Sequence, residues 1–240
     1  MRTIISTLLT TSLLLCVCGC GAKSETDMTK TIEVPCIEGL ESLSSTEFQA
    51  VMDRDAASGK VDRINWPDQY PYCPECDFRI ARSGSVLALS FLVTGRDLRA
   101  TEMEDGGRSW EDSCCEFFIA PGDGYYYNIE TTCIGSILMA RGKDRYEREK
   151  FALEQTARIV RRSSLEHKPY DIEGGEHSWR LDLLIPLDLI GLDPLPPYAE
   201  ANLYKCGDCT ATPHYVSWAP IATQKPDFHR PEYFGKIIFK

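Results

Sequence analysis

Positive charge is in short supply in this 240-residue chain: 26 lysines and arginines face 36 aspartates and glutamates, a formal net charge of −10. That balance argues against non-specific nucleic-acid binding and against adhesion to anionic lipid, and it suits neutral ligands. No phosphate-binding loop, histidine-rich metal motif or Ser/His/Asp arrangement stands out, and no internal repeat or low-complexity tract is present. Of the four histidines, His167 and His177 fall in a polar insertion, while His214 and His229 lie among strand-like stretches.

A membrane-spanning run is also lacking. The opening MRTIISTLLTTSLLLCVCGC has Arg2 near its start, then an apolar stretch broken by threonines and serines. It is too short and too early for a stable transmembrane helix and reads as a secretory signal over residues 1–19. Its ending is similar to a bacterial lipoprotein box, with Gly19 before Cys20, so Cys20 is the expected lipidation site. Lipidation there implies a protein anchored in the bacterial cell envelope, at the periplasmic face or the cell surface. The small, polar residues 21–30 (GAKSETDMTK) read as a tether. Residues 31–240 then form the domain, and a chain of this size buries one substantial core.

Eight cysteines remain beyond Cys20: Cys36, Cys73, Cys76, Cys114, Cys115, Cys133, Cys206 and Cys209. In an exported protein disulfides are the first expectation. The two C-x-x-C pairs, Cys73/Cys76 and Cys206/Cys209, also have the spacing of a four-thiolate zinc site. Their loops would have to meet for either cross-loop disulfides or a structural metal site. Redox catalysis ranks last, because neither pair opens a helix in a βαβ unit.

Strand-like segments are plentiful. Ser85–Val93 (SVLALSFLV) is apolar throughout and bounded by Gly84 and Gly95, as a doubly buried strand should be. Glu116–Ala120 and Tyr125–Cys133 flank Pro121-Gly122-Asp123-Gly124, a turn of the right chemistry for a hairpin. Trp179–Ile185, Ala201–Tyr204, His214–Trp218 and Lys236–Phe239 complete the set, with one short helix expected over Glu147–Ala157. Many short strands, Gly/Pro turns and little helix predict an all-β fold: an antiparallel two-sheet β-sandwich, jelly-roll or immunoglobulin-like. Trp218 and Trp179 are expected in its core, and Trp66 in a packed N-terminal loop.

Alternation places Asn128, Glu130 and Thr132 on one face of their strand, with Glu116 on its neighbour and Trp110 just before. The plain reading of that face is a solvated sheet exterior. W-x-D-S-x-x-E-F-F-I at 110–119, however, resembles the central signature of family 9 carbohydrate-binding modules and their bacterial relatives, although Cys114-Cys115 adds one residue to the usual spacing. ANLYKCGDCTATPHYVSWAPI (201–221) and KPDFHRPEYFG (225–235) resemble the family's last two strands and the loop between them.

The resemblance implies a non-catalytic β-sandwich that grips a sugar between two aromatic rings. Trp110 takes the first ring's place, Phe228 the second's, and Glu116 that of a hydrogen-bonding glutamate; Asn128 stands where sugar-binding members carry arginine. Glu130, His229 and Arg230 join them as candidate polar contacts, with Pro226 and Pro231 holding Phe228 out as one jaw. Aromatic rings suit the C–H faces of a pyranose, and carboxylates suit its hydroxyls. The family also implies structural calcium, for which the acidic loops Glu102–Asp105 and Asp123 are candidates. Its expected partners are oligo- or polysaccharides and the enzymes that degrade them. A structural or protein-interaction module that has lost the clamp is the alternative. The carboxylates of Glu116, Glu130 and Asp208 could converge, but nothing reads as a glycosidase.

Overall fold

The structure, a computed structural model, describes residues 30–240. The expected signal, Cys20 and residues 21–29 of the tether lie outside the described residues. The chain runs through β1 (Thr31–Val34), α1 (Ser45–Asp55), β2 (Ala57–Lys60), β3 (Arg63–Ile64), β4 (Glu75–Ser83), β5 (Val86–Gly95), β6 (Leu98–Ala100), β7 (Cys114–Ala120) and β8 (Tyr126–Thr132). It continues through β9 (Ile137–Gly142), β10 (Arg148–Lys150), α2 (Leu153–Thr156), β11 (Val160–Ser163), β12 (Tyr170–Ile172), β13 (His177–Pro186), β14 (Tyr198–Cys206), β15 (Tyr215–Ser217) and β16 (Gly235–Phe239).

Among the described residues these strands build a nine-stranded sheet, ordered β1-β16-β14-β7-β8-β9-β10, with β15 attached to β14 and β3 to β15. A five-stranded sheet, β11-β13-β5-β4-β2, packs across from it. All neighbouring pairs in the two sheets are antiparallel except β1 with β16, which run parallel. The expected β-sandwich is therefore present. The β7–β8 hairpin forms where its turn chemistry predicts: Gly122 and Gly124 take φ of 103° and 82°, left-handed values that glycine reaches without Cβ strain.

Strand alternation sets the core. Cys115, Phe117 and Ile119 of β7, Ile129 of β8 and Leu203 of β14 point between the sheets, where they meet Phe78, Leu89, Phe91 and Trp218. Trp179 and Trp218 are buried there as expected. Their even-numbered neighbours on β7, β8 and β14 face the other way.

Among the described residues two α-helices form rather than one. α1 begins at Ser44, whose side chain and Glu47 make a reciprocal capping box, and it buries Phe48 and Met52 in a satellite cluster. The stretch expected to be helical over 147–157 is helical only at Leu153–Thr156. Arg148–Lys150 instead pairs with β9 as an edge strand, and Phe151 donates its N–H to Met139 O and packs against the core. Tertiary pairing overrides the local helical preference here.

Candidate functional site

The outer face of β7, β8 and β14 is not a solvated exterior. It carries Cys114, Glu116 and Phe118, then Asn128 and Glu130, then Tyr204 and Cys206, and all of them are buried. Loops cover this face. Trp66 donates its indole N–H to Thr223 O at 2.8 Å, and Asn65 bridges Ser217 Oγ and Ile221 N, stitching the N-terminal loop to the 217–223 segment. Phe228 lies flat on Tyr204 (centroids 4.1 Å, planes 8° apart), and the Tyr204 hydroxyl donates to Phe228 O. The cover is incomplete and leaves a cavity of about 350 Å³.

Glu116, Glu130 and Cys206 form the floor of that cavity; Tyr70, Trp110, Tyr215 and Phe228 wall it, and Arg145, Arg148, Asp208, Lys225, Asp227 and His229 surround the walls. Glu116 and Glu130 face each other directly across the β7–β8 ladder, each 3% exposed. Burial raises the pKa of both well above the usual carboxylate value, and the proximity of Glu130 adds to the effect on Glu116. Glu130 Oε1 accepts from the Asn128 amide at 2.9 Å, while its buried Oε2 has no partner. Asp208 is pushed up to about 6 by burial, against the opposing hydrogen bond from Tyr215.

Trp110 is positioned by two sets of bonds. Asp208 N donates to Trp110 O, and Cys209 N donates to Glu111 O, so the 206–209 turn holds the single 3-10 turn Ser109–Glu111. Asp112, fully buried, accepts from Thr101 N (2.8 Å) and Glu102 N (2.7 Å), and Ser113 Oγ accepts from Arg99 N. The Asp-Ser pair of the 110–119 motif thus anchors the loop that presents the tryptophan. The extra residue in that motif opens no bulge, because β7 pairs continuously from Cys114 with both neighbours.

Of the seven expected contact residues, Trp110, Glu116, Glu130, Phe228 and His229 line one cavity. Phe228 is not held out as a free jaw: it is 8% exposed, and one face of its ring is taken up by Tyr204. His229 Nδ1 sits 2.9 Å from the Tyr126 hydroxyl, and Arg148 Nη1 lies 3.3 Å from both ring nitrogens. Burial, then the charges of Arg148 and Arg145, depress its pKa to about 3, so the ring is neutral. Two residues fall outside the cavity. Asn128 is fully buried and acts on Glu130. Arg230 is exposed and pairs with Asp227 at 2.7 Å, because Pro231 starts a 3-10 turn that directs it away.

The C-x-x-C pairs do not meet. Cys76 lies between the sheets beside Cys115, whereas Cys206 lies on the outer face beside Cys114; the main sheet separates them. All eight described cysteines are free thiols. In the acidic loops, Asp105 is committed to Arg161 and Ile137 N, Asp123 to Arg141 and Tyr125 N, and Glu102 to Arg108 N, so they fit a calcium ion poorly.

The model of the family described as carbohydrate-binding family 9 matches residues 46–239. The chain belongs to that family. A crystal structure of a Bacteroides uniformis protein, given a carbohydrate-binding role by inference, is 35% identical; the match covers 88% of this chain and 100% of that one, with a TM-score of 0.82. Two structures of a family 9 module from Caldicellulosiruptor kristjanssonii share the fold. The glucose complex is 12% identical, with coverage of 88% and 96% and a TM-score of 0.51. The cellotriose complex is 13% identical, with coverage of 88% and 94% and a TM-score of 0.53. No curated protein matches the chain.

Tyr70, Arg145, Arg148, Asp208, Tyr215 and Lys225 also line this family 9 cavity, and none is among the expected sugar contacts. For Asp208 a signal exists, since its turn carries a C-x-x-C motif and its carboxylate is one of the three that could converge. Tyr70 stands in a loop conspicuous for tyrosine and proline.

Proposed function

We propose that this protein binds a saccharide, without transforming it, in the cavity on the outer face of the nine-stranded sheet. The observation that carries the reading is a cavity of about 350 Å³ with two carboxylates on its floor and four aromatic rings in its walls. That volume lies within the roughly 300–1,000 Å³ usual for small-molecule sites. Trp110, Tyr70 and Tyr215 offer surfaces for C–H contact with a sugar ring. Carboxyl groups with raised pKa donate as well as accept, which matches a hydroxyl's double nature.

In this reading the chain is a lipoprotein held through Cys20 in a bacterial cell envelope, where it retains glycan near degrading enzymes. Tethering raises the effective concentration of a single weak site. The modules from C. kristjanssonii were crystallised with glucose and cellotriose, so these two sugars head the panel to be tested.

The test is a glycan-binding screen of the purified protein beside Trp110→Ala. One stacking ring contributes about 1–3 kcal/mol, so the variant should bind roughly 5- to 150-fold more weakly while keeping its fold. Chromatography of cellotriose after incubation with the protein should recover it uncleaved. Silence across the panel, or affinity indifferent to Trp110→Ala, would point to a protein-interaction module; cleavage would make Glu116, Glu130 and Asp208 catalytic candidates.

A further inference from the structure

We propose that Cys114, Cys206 and Glu116 bind a thiophilic divalent cation, Zn(II) being the best match, at the floor of the cavity. One ligand atom from each residue lies within 4.8 Å of the other two, and all three residues are buried. The sheet register brings them together. Cys114 and Cys206 are direct partners across β7 and β14, and Glu116 stands two residues further along β7 on the same face. Cys206 Sγ already donates to Glu116 Oε1 at 3.0 Å. This grouping is not the one that the two C-x-x-C motifs imply: only Cys206 belongs to both.

A second, independent observation comes from Glu130. It opposes Glu116 in the neighbouring ladder, shares the same cavity, is 3% exposed, and has a buried Oε2 with no partner. Among the described residues no lysine or arginine forms a salt bridge with Glu116 or Glu130. A buried polar oxygen left without a partner is costly, and a cation at the cavity floor, with the water it carries, would supply that partner.

The donor set selects the metal. Calcium and magnesium require oxygen ligands, whereas two sulfurs and one carboxylate oxygen suit zinc in a tetrahedral site. On binding, two S–H bonds and the O–H of the Glu116 carboxyl group break, two S–Zn bonds and one O–Zn bond form, and the three protons pass to water; no electrons move. Glu116 and Cys206 both line the cavity, so the fourth coordination position faces it, beside Glu130. A ligand entering the cavity would therefore meet the cation.

The test is a Co(II) titration of the purified protein with its thiols kept reduced. It needs no saccharide, so its outcome is separate from that of the glycan screen. One Co(II) per chain should give sulfur-to-cobalt charge-transfer absorption, displaced by an equivalent of Zn(II). Cys114→Ser and Cys206→Ser should each lower that absorption by about half, as one of two thiolates is removed. Glu116→Gln should keep the absorption but weaken binding by about tenfold or more. Cys76→Ser and Cys115→Ser, on the inner face, should change nothing, and circular dichroism would certify the fold of each variant. Absence of the absorption in protein with free thiols overturns the site, as does undiminished absorption in folded Cys206→Ser. So does recovery of the protein, even from zinc-containing medium, with Cys114 and Cys206 joined by the loss of two hydrogens as a disulfide.

Discussion

Two surfaces of the same three strands behave differently. Facing the second sheet, β7, β8 and β14 contribute Phe117, Ile119, Ile129 and Leu203 to a broad apolar core. Facing outward, the same strands carry Glu116, Asn128, Glu130 and Cys206, equally buried but under aromatic loops rather than a sheet. Cys114 and Cys115 show the contrast in adjacent residues: one reaches Cys206 on the outer face, the other Cys76 between the sheets. The inner surface holds the domain together by area and packing, while the outer surface buries polar groups at a cost that a binding partner can offset. Burial alone therefore does not distinguish core from site; what each buried group can bond to does.

The largest effect should come from attacking the inner surface. Phe117 is fully buried in the main core, and Phe117→Ala should destabilise the protein by about 3–5 kcal/mol, read from the urea midpoint. The half-buried Trp110, truncated to alanine, should move that midpoint by less than about 1 kcal/mol while abolishing or weakening saccharide binding. If the two variants unfold alike, the division between a structural and a functional surface fails.

The inner surface is the more legible of the two. β5, β7, β8, β13 and β14 announce themselves by apolar runs or alternation between turn residues, and each forms within a few residues of its expected bounds. α1 escapes the sequence reading although Ser44 and Glu47 spell a capping box, because only Phe48 and Met52 give it a buried side. On the outer face, alternation correctly groups Glu116, Asn128 and Glu130, but period 2 reports a direction and not what lies above. Tyr70, Arg148 and Tyr215 reach the cavity from segments far apart in sequence, and no local pattern encodes that meeting. The thiol pairing fails for a related reason: C-x-x-C spacing is local, whereas Cys76 with Cys115 and Cys206 with Cys114 are set by register between strands and packing between sheets.

A second way to sharpen the contrast is to disturb a polar group that never touches the cavity. Asn128→Ala removes the amide that donates to Glu130 Oε1, leaving a buried carboxyl group with neither oxygen bonded. A destabilisation of about 1–3 kcal/mol is expected by chemical denaturation, with every aromatic wall of the cavity left intact. An unchanged midpoint would mean that Glu130 finds another partner and that the outer surface is less constrained than its burial indicates.

Acid should also find the outer surface first. His229 faces the guanidiniums of Arg148 and Arg145, the Tyr126 hydroxyl and, through its own backbone N–H, Asp227. Its folded pKa is depressed to about 3, below the ordinary histidine value near 6.5. Above that ordinary value the ring is neutral in both states and contributes no pH dependence. Below it the unfolded chain takes up a proton that the folded one refuses, so stability falls until the folded value is reached, by up to about 1.4 kcal/mol per pH unit. His229→Gln should flatten the decline between about pH 6 and pH 4 by roughly one proton in denaturation curves collected across that range. An identical slope would show that the imidazole is not shielded as its surroundings require.

The smallest effect is expected where sequence and structure part company over a contact residue. Arg230 lies two residues beyond Phe228, yet its guanidinium turns to Asp227 Oδ2 at 2.7 Å and stands 3.8 Å from Glu232, exposed to solvent. Exposed pairs of this kind contribute at most about 1 kcal/mol, so Arg230→Ala should barely shift the denaturation midpoint. Because Asp227 keeps its bond from His229 N and its neighbour Arg145 at 3.7 Å, the loop should hold its shape and saccharide affinity should be unchanged. A loss of affinity in that variant, measured by calorimetry with the sugar found in the screen, would mean that the arginine swings into the cavity when a ligand arrives. The cavity's edge would then extend to Arg230, and the outer surface would be organised by its ligand rather than ready for it.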